Sequence, residues 1–262
     1  MKKRLAVLIL TYNESEKIED CIKSVYFADE IIIIDSKSTD NTCEIAERLG
    51  AKVYIKAMDK GFAEQRNYAL TKTDAEWILY LDADERLTPD ASSEIQKIVA
   101  KGDRYGYKIK RMNILFGQLQ KYGGHAPDFV LRLYPRDSVH WAGIVHEHPE
   151  LTVPIKKMKY AMKHYTYTNW EQYFSKFNHY TTLMAQKMKE KGRTASFLDI
   201  VVRPLYAFIS FYILKSGWRD GKLGFVFALL HGFYTLVKYL KLYYYEKCEG
   251  KDESYNYGVH DR

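Results

Sequence analysis

The chain has 262 residues, 47% hydrophobic and 28% charged, which is ample for a core and excludes an intrinsically disordered chain. Its three cysteines, Cys21, Cys43 and Cys248, form no CxxC pair and are odd in number; this argues against a disulfide framework or a zinc ribbon and suits a reducing compartment. The net charge of +7 is uneven, with 22 Lys/Arg against 24 Asp/Glu in residues 1–150 and 18 against 9 in residues 151–262, so a basic second region faces an anionic partner.

The apolar run Leu5 to Leu10 is too short for a signal peptide and passes straight into a polar TYNES turn, so it reads as the first strand of a cytoplasmic protein. A second aliphatic run, Ile31 to Ile34, also ends in a polar turn, as central parallel strands do. Between them Ile18, Cys21, Ile22 and Val25 recur at helical spacing, completing a βαβ unit. A helix from about Asn41 to Leu49 follows, with Asp40 as a capping oxygen and Gly50 as its stop, and then a strand over Ala51 to Ile55.

Gly61 precedes a helix, FAEQRNYAL, in which Arg66 belongs to the polar side and Asn67 reads as a structural hydrogen bonder. Trp77 to Leu81 is the next strand. Thr88 and Pro89 form an N-cap and first-turn pair for a helix through about Ala100, and alternating Tyr105, Tyr107 and Ile109 predict another strand. Asn113 to Gly124, with three glycines, reads as a substrate-facing loop. Phe129 to Tyr134 is a short strand, and Tyr160 to Tyr167 is the last. The β-α alternation predicts a doubly wound, mostly parallel sheet.

From Trp170 the period is helical. Two apolar segments, Pro204 to Leu214 and Leu223 to Val237, are each shorter than the roughly 17–25 residues of a bilayer crossing. Three readings stand: a pair of interfacial helices, a hairpin packed on the catalytic domain or a second subunit, and true membrane spans. Flanking Arg203, Lys215, Arg219, Lys222, Lys238 and Lys241, with tyrosines at 243–245, favour the interfacial one. No nucleic-acid module accompanies the basic region.

The chain is organised around WILYLDADE, Trp77 to Glu85, an apolar strand ending in Asp82 and Asp84 with one small residue, Ala83, between them. Open α/β sheets place ligands at the carboxyl ends of their strands, and both carboxylates can reach one divalent cation whose other ligands are diphosphate oxygens. Thr11, Tyr12, Asn13 and Glu14 follow the first strand, and Asp35, Ser36 and Lys37 follow the second. All converge on the same crevice.

VLILTYNE, IIIIDSKSTD, GFAEQRNYAL and WILYLDADE, in that order, resemble the family 2 glycosyltransferases of GT-A fold over about the first 90 residues. VHE and the basic aromatic C-terminal helices resemble a narrower branch, the glycosyltransferases of lipopolysaccharide core assembly, in which glucose is typically added to a heptose. The resemblance implies that Thr11, Tyr12, Asn13, Glu14, Asp35, Ser36, Lys37, Arg66, Asp82 and Ala83 bind the nucleotide sugar. It implies Mg²⁺ or Mn²⁺ on Asp84, with Asp82 and His146 beside it. Glu147 is the favoured general base and Asp128 the second candidate, because the usual Glu-Asp pair of the family is missing. HEHPE is not a zincin motif, since Glu150 stands where a second histidine is required.

These expectations describe an inverting, metal-dependent hexosyltransferase. It uses a nucleoside-diphosphate sugar, a UDP-sugar first, and a lipid-linked or lipopolysaccharide acceptor at the inner face of the cytoplasmic membrane. Residues 1–168 would form the catalytic domain, with a nucleotide-sugar half over 1–100 and an acceptor half over 101–168. Residues 169–262 would form an amphipathic, membrane-associating helical region, with room for a homo-oligomer. The alternatives are another acceptor (a polyisoprenoid phosphate, a capsule precursor or a protein) and a non-catalytic nucleotide-binding membrane scaffold, against which Asp82 and Asp84 both argue.

Overall fold

The computed structural model describes residues 4–59, 61–123, 128–143, 148–167 and 169–248, with residues 246–248 described by their backbone only. The chain divides into two compact units, residues 1–114 with 127–166, and residues 115–126 with 167–262.

The first unit begins β1 (Leu5–Thr11), α1 (Ile18–Lys23), β2 (Glu30–Asp35), α2 (Thr42–Arg48), β3 (Lys52–Ile55), α3 (Phe62–Leu70) and β4 (Trp77–Asp82). It continues through β5 (Glu85–Leu87), α4 (Pro89–Lys101) and β6 (Gly106–Leu115). Beyond residues 115–126, which hold the two-residue β7 (Gln118–Leu119) and belong to the second unit, come β8 (Asp128–Pro135), β9 (Val139–Ala142), β10 (His148–Leu151) and β11 (Ile155–Tyr167). The main sheet has the order β3-β2-β1-β4-β8-β6-β11-β5, and β9 and β10 form a separate hairpin.

Strands β3, β2, β1 and β4 are parallel, whereas β4 with β8, β8 with β6, and β11 with β5 pair antiparallel. The expected α/β sheet is therefore mixed, its parallel character belonging to the first four strands. Alternate residues of β1 serve two cores. Val7 and Ile9 pack with Ile22, Ala46 and Ile95 on one face, while Ala6 and Leu8 pack with Ala63, Ala69 and Tyr80 on the other. Continuous aliphatic runs are required because both faces are covered.

Several boundaries differ from expectation. Asn113 to Leu115 extend β6 instead of joining the following loop, and β11 starts at Ile155. β5 is too short to carry a period of its own. Helix α4 begins where its cap dictates, with Thr88 Oγ1 accepting from Ala91 N at 3.3 Å.

The second unit holds α5 (Trp170–Glu190), α6 (Phe197–Ile209) and α7 (Gly221–Cys248). A wider helical turn, Ser210–Leu214, continues α6, and a short 3₁₀ turn, Gly217–Asp220, leads into α7. The two apolar segments of the sequence thus lie within longer helices, and Pro204 sits inside α6. Glycine lets these helices close up: a Cβ at Gly232 would meet the Pro204 carbonyl oxygen at 3.1 Å, and one at Gly224 would overlap the Gly217 carbonyl.

Candidate active site at the carboxyl end of the parallel strands

Register brings the site together. Thr11 pairs with Asp35 across β1 and β2, and Leu10 with Asp82 across β1 and β4, so three strand ends lie side by side. Chain order reverses between β1 and β4, which is where open α/β sheets bind ligands.

In the β1–β2 corner Asp35 is 0% exposed and organises its own loop. Its Oδ2 accepts from Thr11 Oγ1 at 2.7 Å and Ser38 Oγ at 2.6 Å, and its Oδ1 accepts from Ser38 N at 2.7 Å. Asn13 N donates to Ser38 Oγ, and Asn13 Oδ1 accepts from Thr39 N, both at 2.8 Å. Asn13 and Lys37 both have left-handed backbone, at φ +53° and +66°. For side chains other than glycine that conformation is strained, and such strain gathers at ligand sites. Tyr12 and Lys37 are exposed, and the buried Ser36 hydroxyl has no hydrogen-bond partner. The Glu14 carboxylate pairs with Lys17 at 3.1 Å. Asp40 accepts from Thr42 N and Ser15 N, tying the start of α2 to the β1 loop, while Asn41 and not Asp40 is the N-cap of α2.

At the end of β4 the charges interlock. Asp82 Oδ1 accepts from Arg66 NH2 at 3.3 Å and Oδ2 from Arg132 NH2; the same Arg132 nitrogen lies 2.6 Å from Glu85 Oε1. Arg111 reaches Glu85 at 3.4 Å and also pairs with Asp128, its Nε donating to Oδ2 at 2.8 Å. Glu85 is fully buried and Arg132 nearly so, whereas the Asp82 side chain is 36% exposed. Burial pushes the Asp82 carboxyl up, but Arg132 and then Arg66 outweigh it and hold it at about 2. At Glu85 burial wins, and its carboxyl is raised despite Arg132. Arg86 clasps the turn by donating to the Ala83 and Glu85 carbonyls at 2.6 and 2.8 Å.

Arg66 is buried between this carboxylate and an aromatic wall. Its guanidinium carbon lies 4.3 Å from the Trp141 ring centroid and 5.6 Å from that of Tyr80. The neighbouring Asn67 exchanges two hydrogen bonds with the Trp141 backbone, at 2.8 and 2.9 Å, which fixes α3 against β9. Nε of both Arg66 and Arg132 is buried without a hydrogen-bond partner.

Asp84 faces elsewhere. Its Oδ2 lies 3.5 Å from His164 Nε2, and its Oδ1 is buried without a partner. His164 sits on β11 opposite Glu85 of β5, and its Nδ1 meets Asn113 Oδ1 at 2.8 Å. His164 Nδ1 also lies 3.2 Å from Thr166 Oγ1; with the ring proton on Nδ1 the Nε2 lone pair faces the Asp84 carboxylate, and with it on Nε2 the imidazole donates to that carboxylate. In the first tautomer the pair fits a bound cation. Among the described residues no group of three or more His, Cys, Asp or Glu side chains could hold a metal. A divalent ion here would take Asp84 and His164 and complete its shell with diphosphate and water oxygens, as Mg²⁺ commonly does.

The structure brings Thr11, Asp35, Arg66, Asp82 and Asp84 to one end of the sheet. Asp128 is tied to Arg111. His146 and Glu147 lie outside the described residues. The sequence reading missed His164, Asn113, Arg111 and Arg132. Arg132 alone left a signal: FVLRLYP sets a guanidinium in an otherwise apolar strand, and such a residue needs a buried partner.

Residues 6–149 match the family described as Glycosyl transferase family 2. The chain belongs to that family. This glycosyltransferase is 32% identical over 257 residues to an uncharacterized glycosyltransferase of Rickettsia bellii, covering 92% of this chain and 87% of that one. It is 28% identical over 253 residues to the lipopolysaccharide core biosynthesis glycosyltransferase LpsC of Rhizobium meliloti, covering 91% and 92%. Solved structures match it less completely. TarS of S. aureus aligns at a TM-score of 0.43 and 15% identity, over 71% of this chain and 39% of that one. Glucosyl-3-phosphoglycerate synthase from Mycobacterium tuberculosis, in complex with Mn²⁺, UDP and glucosyl-3-phosphoglycerate, aligns at 0.35 and 23%, over 44% and 45%.

Proposed function

We propose that this family 2 glycosyltransferase moves a hexose, such as glucose, from a UDP-sugar to a lipid-linked or lipopolysaccharide-core acceptor, with inversion, at the inner face of the cytoplasmic membrane. The observation that carries the metal-assisted donor chemistry is the Asp84–His164 pair, 3.5 Å apart beside an unpartnered carboxylate oxygen. Similarity to LpsC over nine-tenths of both chains supports the acceptor class.

Departure of a diphosphate builds negative charge at one place, and the residues around it are matched to that. Asp84 and His164 would hold Mg²⁺ or Mn²⁺, which when bound supplies Lewis-acid stabilisation of the leaving diphosphate. Arg66 adds a fixed, partly desolvated positive charge next to Asp82. The loops after β1 and β2, with Thr11, Tyr12, Asn13 and Glu14 facing Asp35, Ser36 and Lys37, hold base and ribose. Glu147 takes the proton of the acceptor hydroxyl as that oxygen attacks, and a single displacement inverts the anomeric centre. Arg111 engages Asp128, which counts against Asp128 as the base.

Donor hydrolysis and transfer measured with and without Mn²⁺ test this reading. The expected result is metal-dependent turnover abolished in Asp84→Asn, together with a Glu147→Gln variant that still binds donor but no longer transfers. Full activity in Glu147→Gln would reassign the base to Asp128. A non-catalytic nucleotide-binding scaffold predicts no turnover under any condition. A thermal-shift screen of nucleotide sugars with Mn²⁺ identifies the donor, because a ligand of the folded state raises its stability.

A further inference from the structure

The bundle of α5, α6 and α7 has two sides that differ in kind. α5 runs parallel to α7: Tyr173 and Phe177 meet Phe227 and Tyr234 near one end, and Ala185 and Met188 join Tyr239 and Leu242 at the other. Between these ends Lys241 Nζ lies 2.7–2.9 Å from oxygens of Asn178, Thr181 and Thr182, which locks a cation of α7 onto α5. α5 exposes Glu171, Ser175, His179, Gln186 and Glu190, interspersed with Trp170, Phe174, Tyr180 and Met184.

α6 is the reverse. Phe197, Leu198, Val201, Val202, Leu205 and Tyr206 are exposed, and the stripe continues through Ile209 to Ile213 and Leu214 without a charged residue. Its own ions, Asp199 and Arg203, pair with each other one turn apart, and the Arg203 guanidinium lies over the Tyr239 ring of α7. On α7 a second stripe, Phe225, Val226, Leu229 and Phe233, is exposed as well. Phe225 touches both Phe208 and Tyr212 of the α6 segment, so the two stripes adjoin. An exposed apolar surface of this extent requires an apolar partner.

By length and composition Phe197–Leu214 and Gly217–Tyr245 could each cross a membrane, with mean hydropathies of 1.7 and 1.5. The packing argues otherwise. A hydrocarbon core is about 30 Å thick, and an α7 standing across it would carry the paired α5 along, placing Lys176, His179 and Lys187 in lipid. Laid flat, the same bundle offers only its apolar stripes to the acyl chains. Exposed Lys191 and Arg193 at one end, and Lys215, Arg219 and Lys222 at the other, then reach the head groups.

We infer that the α6–α7 side of the bundle is a monotopic lipid-binding surface, seated in one leaflet of an anionic bilayer with both ends of both helices on the same side. This deepens the membrane placement proposed above and is independent of the donor chemistry. The stripes fit acyl chains, the basic ends fit anionic phospholipid, and the mixed, charge-bearing face of α5 remains in water.

The full-length protein is mixed with sealed phosphatidylcholine vesicles, with and without phosphatidylglycerol, and floated. Binding to the anionic vesicles that weakens with salt is expected. Leu205→Glu combined with Leu229→Glu should lower the bound fraction roughly tenfold or more, because each change removes a large side chain from hydrocarbon. Mn²⁺-dependent donor hydrolysis in solution should be unchanged in that variant, so failure of the catalytic reading would register separately. Single cysteines at Lys191→Cys and Lys215→Cys, in vesicle-bound protein, should both react with an impermeant maleimide added outside, above the labelling of the parent chain. Protection of one position alone would mean that the helices cross, and would overturn the inference. Unchanged flotation of the double glutamate variant would overturn it too; if that variant also changes from dimer to monomer, the face belongs to a second copy of the chain.

Discussion

At the end of β4 the fold buries Glu85 and Arg132 at 0% and 5% exposure, whereas along α6 it leaves Phe197 and Leu198 at 68% and 70%. One region takes charge out of water and the other leaves hydrocarbon in it. In the first, Arg132 answers Asp82 and Glu85, and Arg111 answers Glu85 and Asp128, while buried Arg86 is met by backbone carbonyls. What stays unanswered there is a carboxylate oxygen of Asp84 and the Nε–H groups of Arg66, Arg86 and Arg132. In the second, nothing within the described residues covers the stripe. A protein of marginal stability retains such features where something other than itself completes the surface.

The largest expected effect is catalytic. If the proposed donor site is right, Asp84→Asn should lower metal-dependent transfer about a thousandfold or more, since the removed charge would act where the diphosphate departs. Transfer within tenfold of the parent would take the cation away from Asp84. His164→Ala should raise the Mn²⁺ concentration needed for half-maximal turnover by about 10–100-fold and be partly rescued by excess metal; an unaltered metal titration would make His164 a structural partner only.

Stability separates the two regions next. Arg132→Met strands Asp82 and Glu85, and urea unfolding should report a loss of about 3–5 kcal/mol. Leu205→Glu, on the exposed stripe, should stay within about 0.5 kcal/mol of the parent. Equal costs in the two variants would erase the contrast.

The smallest effect lies in acid. Asp82 has a folded pKa of about 2 against an ordinary 3.8, so its contribution is present above 3.8 and is lost as the pH falls toward 2. Glu85 works in the opposite sense. Its folded pKa is raised, so its contribution is full below its ordinary value and is lost as the pH rises through the raised one. The stability difference between the parent and Asp82→Asn should therefore shrink as the pH drops from 3.8 toward 2, which urea midpoints measured across that interval would show. A constant difference would place Asp82 outside the ion-pair cluster.

Much of the first hundred residues was legible because its signals are local. β1, β2 and β4 are aliphatic runs ending in polar turns, and a run apolar on both faces has few other ways to be buried. Arg132 and His164 were not legible in the same way. They come from β8 and β11, antiparallel strands whose pairing depends on contacts distant in sequence, and a lone Arg or His in a strand does not announce its partner. The apolar, helical character of the C-terminal segments was readable from composition, but their extent was not, because Pro204 and the interrupting turns hid two helices longer than the apolar cores within them.

Sequence alone determined the α/β alternation, the acidic end of β4 and the presence of two apolar helices, since each depends on spacing within a few residues. Only the tertiary structure decided that Asp82 answers two arginines while Asp84 faces a histidine, and that α5 locks α7 on its polar side. Those outcomes rest on register and packing between segments some 15 to 80 residues apart, and no local pattern encodes them.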